Sequence, residues 1–176
     1  MPPVTLVLGG ARSGKSRHAE ALVESHPGPC IYLATATPGD GEMAARIAAH
    51  RDRRGPRWQT VEEPLALAEA LHAAAAPDRA VLVDCLTLWI SNLMGAGRDV
   101  DAVGDALAAS LPAAGPVVFV SNEVGLGIVP DNAAARAFRD HAGRLHQTVA
   151  ARADSVLFVA AGLALPLKSP EPAARP

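Results

Sequence analysis

The feature that most restricts what this chain can become is the run Gly9-Gly10-Ala11-Arg12-Ser13-Gly14-Lys15-Ser16, set between an apolar stretch and a segment of helical character. Its spacing fits G-x-x-x-x-G-K-[ST], a loop whose glycines let the backbone curl until its N–H groups point at an anion. Lys15 would then reach the terminal phosphates of a nucleotide, and the Ser16 hydroxyl would join the shell of a Mg²⁺ ion. The alternative is a glycine-rich turn of no chemical use. The agreement of the motif with its flanks argues against that alternative. A nucleoside triphosphate is therefore expected on Gly9, Gly10, Ala11, Arg12, Ser13, Gly14, Lys15 and Ser16, with Lys15 catalytic.

Around this loop, five short apolar runs read as strands buried on both faces: residues 4–8, 30–34, 80–84, 117–121 and 155–160. Helix-compatible segments separate them at residues 15–24, 42–53, 65–75, 100–111 and 132–153, with Pro64 and Pro130 just ahead of two of these. Strand and helix alternate, which predicts an α/β fold with a mostly parallel central sheet flanked by helices. With 176 residues the chain suits one domain, expected over residues 1–168, followed by a Pro-rich tail, 169–176, expected to be disordered and without a chemical role. Only six residues are aromatic, so the core has to be assembled mainly from Ala, Val, Leu and Ile.

The formal net charge of −2 gives no general reason to bind nucleic acid or an anionic membrane. Cys30 and Cys85 sit in apolar runs without the paired spacing of a zinc site, and read as buried thiols. No apolar stretch reaches the roughly 18 residues of a membrane span, and the N-terminus lacks a signal-peptide pattern. A cytoplasmic location is expected.

Three further places carry chemistry. Asp84 ends the run Val81-Leu82-Val83-Asp84, where a carboxylate at the C-terminal end of a parallel strand faces the ligand crevice. There it would hold Mg²⁺ together with Ser16, or else cap the following turn. In the segment from Glu42 to Arg54, a period of about 100° per residue places Met43, Arg46, Ile47, His50 and Arg54 on one face. An imidazole among guanidinium groups suits a polyphosphate and a neutral, nucleophilic ring. A solvated arginine face with His50 half-buried explains the same pattern. Finally, Asn122 and Glu123 open a glycine-containing loop at the end of the fourth apolar run, where Glu123 is either a general base or metal-linked group, or a tie that holds the loop. His18, His26, His72, His141 and His146 show no pairing that singles them out.

Taken in order, these segments resemble the family of bifunctional adenosylcobinamide kinases and adenosylcobinamide-phosphate guanylyltransferases. The resemblance rests on the loop from Gly9 to Ser16, Ile31-Tyr32-Leu33-Ala34-Thr35-Ala36, the stretch from Glu42 to Glu63, Val83-Asp84-Cys85-Leu86-Thr87-Leu88-Trp89, Asn122-Glu123-Val124-Gly125-Leu126-Gly127-Ile128-Val129-Pro130, and Leu165-Pro166-Leu167-Lys168. It implies a RecA-like P-loop NTPase fold and a corrinoid substrate. It also implies two reactions: phosphorylation from ATP or GTP, then transfer of GMP from GTP with loss of pyrophosphate. It places a covalent GMP on a histidine of the Arg-rich helix, where this chain offers His50. Some relatives have two adjacent histidines there, whereas Ala49 precedes His50 in this chain.

By the same matching, Gly9 to Ser16, Ala34, Thr35, Ala36, Arg51, Asp52, Arg53, Arg54, Glu62 and Asp84 are the implied nucleotide-binding positions. Ser16 and Asp84 are the implied Mg²⁺ ligands. The Glu62 carboxylate would suit the guanine N1–H and exocyclic amine. A homo-oligomer, expected as a trimer, is implied as well. Two rivals differ in class: a monofunctional metabolite kinase, which leaves the Arg-rich helix unused, and a regulatory P-loop NTPase, against which the absence of Asn-Lys-x-Asp counts.

Overall fold

Apolar runs without polar alternation can be satisfied only when both faces of a sheet are covered, and this is how the chain folds. The computed structural model describes residues 1–36, 55–111 and 113–169. The strands are β1 (Val4–Gly9), β2 (Cys30–Ala34), β3 (Trp58–Glu62), β4 (Ala80–Asp84), β5 (Val117–Asn122), β6 (Ser155–Ala160) and β7 (Leu163–Lys168). The helices are α1 (Lys15–Glu24), α2 (Leu67–Ala74), α3 (Leu86–Gly95), α4 (Val100–Ala109) and α5 (Ala133–Arg152). The strands form a single seven-stranded sheet in the order β3-β2-β4-β5-β1-β6-β7. All pairs are parallel except the terminal hairpin of β6 and β7.

Alternate residues of the central strands feed two cores. On one face Val7, Tyr32, Leu82, Val118 and Val120 meet Ala19 and Val23 of α1. On the other, Leu6, Leu33, Val83 and Phe119 meet Leu67 and Leu71 of α2, Trp89 and Ile90 of α3, Leu107 of α4, and Leu145 and Val149 of α5. Side chains as large as Trp89 and Phe119 are fully buried there. Two helices start on side-chain caps, where Asp99 Oδ1 accepts from Ala102 N (3.1 Å) and Asn132 Oδ1 from Ala135 N (2.7 Å).

The five expected strands are present, and the expected helices other than residues 42–53, which lie outside the described residues, appear within two residues of their bounds. Three elements had no sequence-based assignment. Helix α3 follows β4 after the single residue Cys85, with no turn residue to announce it, although Leu86, Trp89, Ile90 and Leu93 have helical spacing. Strands β3 and β7 are edge strands whose side chains are exposed or half-buried; β3 gives no apolar run, and the run in β7 is interrupted by Pro166. In β7, Pro166 sits where an edge strand tolerates a missing N–H.

The register brings one row of residues to the C-terminal edge of the parallel strands. Gly9 stands opposite Asn122, Asp84 opposite Ala34, and Ala34 opposite Glu62. Strand β5 is inserted between β1 and β4, so the loop after Gly9 and the carboxylate of Asp84 flank the end of β5.

Candidate active site

The loop from Gly9 to Ser16 is shaped by its backbone. Gly14 has φ 96° and Arg12 φ 57°, both left-handed, and this turns successive N–H groups toward one side before α1 begins. At Gly9 a Cβ would stand 2.4 Å from the Val159 carbonyl oxygen and 2.6 Å from Ser13 Oγ, so the close approach requires glycine. The loop is fastened by Ser13 N donating to Gly10 O (3.3 Å) and by Gly162 N donating to Ser13 O (2.8 Å). Gly14 caps α1 without a side chain, which leaves the helix N-terminus facing the loop interior. Lys15 is buried, and its Nζ donates to Gly10 O at 3.2 Å.

Asp84 is held by its neighbours. Tyr32 donates its hydroxyl to Asp84 Oδ2 at 2.9 Å, which fixes the carboxylate at the end of β4. Thr35 N donates to Asp84 O (3.1 Å), while the Thr35 hydroxyl donates to Cys85 O (2.8 Å) and accepts from Cys85 N (2.9 Å). The Asp84–Cys85 peptide bond is cis. Asn92 of α3 then donates to Thr35 O (2.7 Å) and Pro64 O (3.1 Å), joining α3 to both connecting segments. Asn122 donates to Thr87 Oγ1 at 3.1 Å. Thr35 is fully buried, so its hydroxyl is committed to Cys85 and orders this corner. Burial, with the adjacent Asp84 charge, pushes the Cys85 thiol up to about 11; burial also raises that of Cys30. Both cysteines are buried free thiols, as their apolar surroundings in the sequence indicate.

Sequence reasoning marked Glu123 but missed the two residues grouped with it, Ser121 and His146. Ser121 Oγ lies 2.7 Å from His146 Nε2, and His146 Nδ1 lies 4.0 Å from Glu123 Oε2. Ser121 and His146 are buried, and burial holds the imidazole below its ordinary pKa, against the opposing pull of Glu123. A histidine within the apolar stripe Ala142, Leu145, His146 and Val149 of α5 was the available signal. Its partners lie on another element, which no spacing along the chain reveals.

Ala34, Thr35 and Ala36 leave β2 at this edge, and Glu62 is exposed at the end of β3, on the far side of β4 and β2 from the phosphate loop. His50, Arg51, Asp52, Arg53 and Arg54 lie outside the described residues. Among the described residues no cluster of three or more His, Cys, Asp or Glu could hold a metal by itself, and no helix is long and apolar enough to cross a membrane.

Residues 5–167 match the family model described as cobinamide kinase / cobinamide phosphate guanyltransferase. The chain is 50% identical over 166 residues to the bifunctional adenosylcobalamin biosynthesis protein CobP of Pseudomonas aeruginosa, across 93% of this chain and 96% of that protein. It is 44% identical over 179 residues to the bifunctional adenosylcobalamin biosynthesis protein CobU of Salmonella typhimurium, across 93% and 98%. Among solved structures it is similar to the P4 protein from bacteriophage phi6 in complex with ADP (19% identity, TM-score 0.45), covering 92% of this chain and about half (52%) of that one. The chain belongs to the cobinamide kinase / cobinamide phosphate guanyltransferase family.

Proposed function

We propose that this chain phosphorylates the side-chain hydroxyl of adenosylcobinamide from ATP or GTP, and then transfers GMP from GTP to the resulting phosphate through a histidine-bound intermediate. The observation that carries the kinase half is the single edge on which the phosphate loop, Asp84 and the end of β5 stand together. The backbone N–H groups from Gly9 to Ser16 bind the phosphates, and Lys15 stabilises the charge that develops on the transferred phosphoryl group. The Ser16 hydroxyl and the Asp84 carboxylate are hard oxygen donors, and one carboxylate beside substrate phosphates suits Mg²⁺, which would neutralise charge between the phosphate groups. Tyr32 keeps the Asp84 carboxylate in a fixed direction for this purpose.

For guanylyl transfer, His50 attacks the α-phosphorus of GTP. A nitrogen–phosphorus bond forms, the bond to the β-phosphate oxygen breaks, and pyrophosphate leaves with the electron pair. An oxygen of the corrinoid phosphate then attacks the same phosphorus and releases His50. Arg51, Arg53 and Arg54, beside Asp52, neutralise the triphosphate. Glu62 and the turn from Ala34 to Ala36 receive the nucleoside; the exposure of Glu62 at this edge supports that assignment. A homotrimer in the cytoplasm completes the proposal. Support for self-association comes from the edge strand β7, where Leu163, Leu165 and Leu167 are exposed on alternate positions.

Labelled GTP tests the function. γ-Label should appear on adenosylcobinamide, and α-label should remain on the denatured protein and then move to the corrinoid. Label on the corrinoid from the γ-position alone would reduce the chain to a kinase.

A further inference from the structure

We propose that Glu123 is the base that takes the proton from the corrinoid hydroxyl in the kinase step, and that His146 and Ser121 are positioning residues that aim its carboxylate. This rests on the kinase reading above and deepens it.

The backbone settles where Glu123 stands. It follows Asn122, the partner of Gly9 in the sheet, and its N–H donates to Gly9 O at 3.0 Å. The side chain therefore emerges beside the first residue of the phosphate loop. Because β5 lies between β1 and β4, the residue that ends it has the phosphate loop on one side and the end of β4, with Asp84, on the other.

Phosphorylation of an alcohol needs a group to accept the proton. Asp84 is the proposed metal ligand, and the residue after it, Cys85, is a buried thiol held in its neutral form. Glu63 is engaged elsewhere, since its Oε1 accepts from Leu65 N and Ala66 N, both at 2.8 Å, ahead of α2. Glu62 is four strands from β1 in the sheet. Among the described residues that leaves Glu123 as the carboxylate adjoining the loop.

Its environment has the arrangement expected of an aimed base. Oε1 accepts from Gly125 N, which curls the following loop back on the carboxylate. Oε2 faces His146 Nδ1 at 4.0 Å, and the far side of that ring meets Ser121 Oγ at 2.7 Å. A neutral imidazole has one donor and one acceptor nitrogen. In the tautomer in which the Ser121 hydroxyl donates to Nε2, the ring proton is on Nδ1, the nitrogen nearer Glu123. Ser121 is wholly enclosed, so it orders the ring and cannot meet a substrate, whereas the Glu123 side chain keeps about a fifth of its surface (21%) open.

In the step itself, the substrate oxygen forms a bond to the γ-phosphorus, the bond from that phosphorus to the β-phosphate oxygen breaks, and the nucleoside diphosphate leaves with the electron pair. The hydroxyl proton passes to Glu123 and from there to water.

The test compares kinase rates of the wild type, Glu123→Gln, His146→Asn and His146→Leu with ATP and adenosylcobinamide, each assayed well below its own unfolding midpoint. Removal of a general base should lower kcat of Glu123→Gln by ~10²-fold or more, with KM for ATP changed less than about threefold. His146→Leu should lose about tenfold in kcat, and His146→Asn, whose amide N–H can replace Nδ1–H, should recover most of it. A Glu123→Gln kcat within about threefold of wild type overturns the proposal. Equal losses in the two His146 variants, or losses confined to KM, overturn the positioning role. A wild-type chain that makes no cobinamide phosphate would remove the kinase reading itself, a result distinct from either of these.

Discussion

The phosphate loop and the Asp84 corner occupy the same edge of one sheet but are built in opposite ways. The loop is eight consecutive residues whose shape is carried by backbone dihedrals, the φ of 96° at Gly14 among them, and by a close approach that only Gly9 permits. The corner is assembled from Tyr32, Thr35, Asp84, Cys85 and Asn92, which come from β2, β4, α3 and their connections and meet through side-chain hydrogen bonds. Its geometry depends on register. Ala34 stands opposite Asp84, and a slip of one residue would turn the carboxylate to the other face. A local motif thus gains its function from conformation, and a distributed one gains it from the fold around it. Their failures should differ accordingly.

The largest effect is expected in the loop. Lys15→Ala should lower the kinase rate by on the order of 10³-fold, because the developing phosphoryl charge loses its cation. Stability should change far less than the rate, since the hydrogen bond from Lys15 to Gly10 O is a modest one. Steady-state rates beside urea unfolding measure both; a near wild-type rate would remove Lys15 from catalysis.

In the corner, Asp84→Asn should lower the rate by about 10²-fold at limiting Mg²⁺, with partial recovery as Mg²⁺ is raised, because an amide is a poorer partner for a hard cation. Mg²⁺ titration of activity checks this. Loss of folding in proportion to loss of rate would mean that Asp84 is mainly structural.

Thr35→Val should give the smallest change in chemistry but a clear one in folding. Removing the hydroxyl leaves the buried Cys85 N–H and C=O without their partner, which costs ~1–3 kcal/mol. A drop in urea midpoint without a change in its slope would establish this. If Thr35→Val is as stable as wild type, the corner is not held by these bonds, and its contrast with the loop collapses.

The same contrast explains what could be read from the sequence. The loop was legible because its chemistry and its spacing coincide in one stretch, and the central strands because burial on both faces leaves uninterrupted apolar runs. Asp84 was legible as the end of such a run. Strand β3 was not, because its side chains from Gln59 to Glu62 face solvent and its strand character comes from pairing with β2. Glu123 was marked from the sequence, but its grouping with Ser121 and His146 was hidden for a related reason: a histidine on an apolar helix stripe acquires meaning only when β5 packs beside it. Thr35 was marked as a nucleotide position by resemblance; the tie its side chain makes between β2 and Cys85 had no sequence signal.

The central claim is that one P-loop chain performs two transfers, and that His50 serves only the second. The direct measurement is mass spectrometry of wild type and His50→Ala after incubation with GTP and Mg²⁺, alongside kinase assays of both. The wild type should carry one GMP on the peptide containing His50, stable in alkali and lost in acid. His50→Ala should carry none and make no GDP-cobinamide, while retaining measurable kinase activity. A GMP adduct that persists in His50→Ala, or a folded His50→Ala that has lost both reactions, would contradict the account.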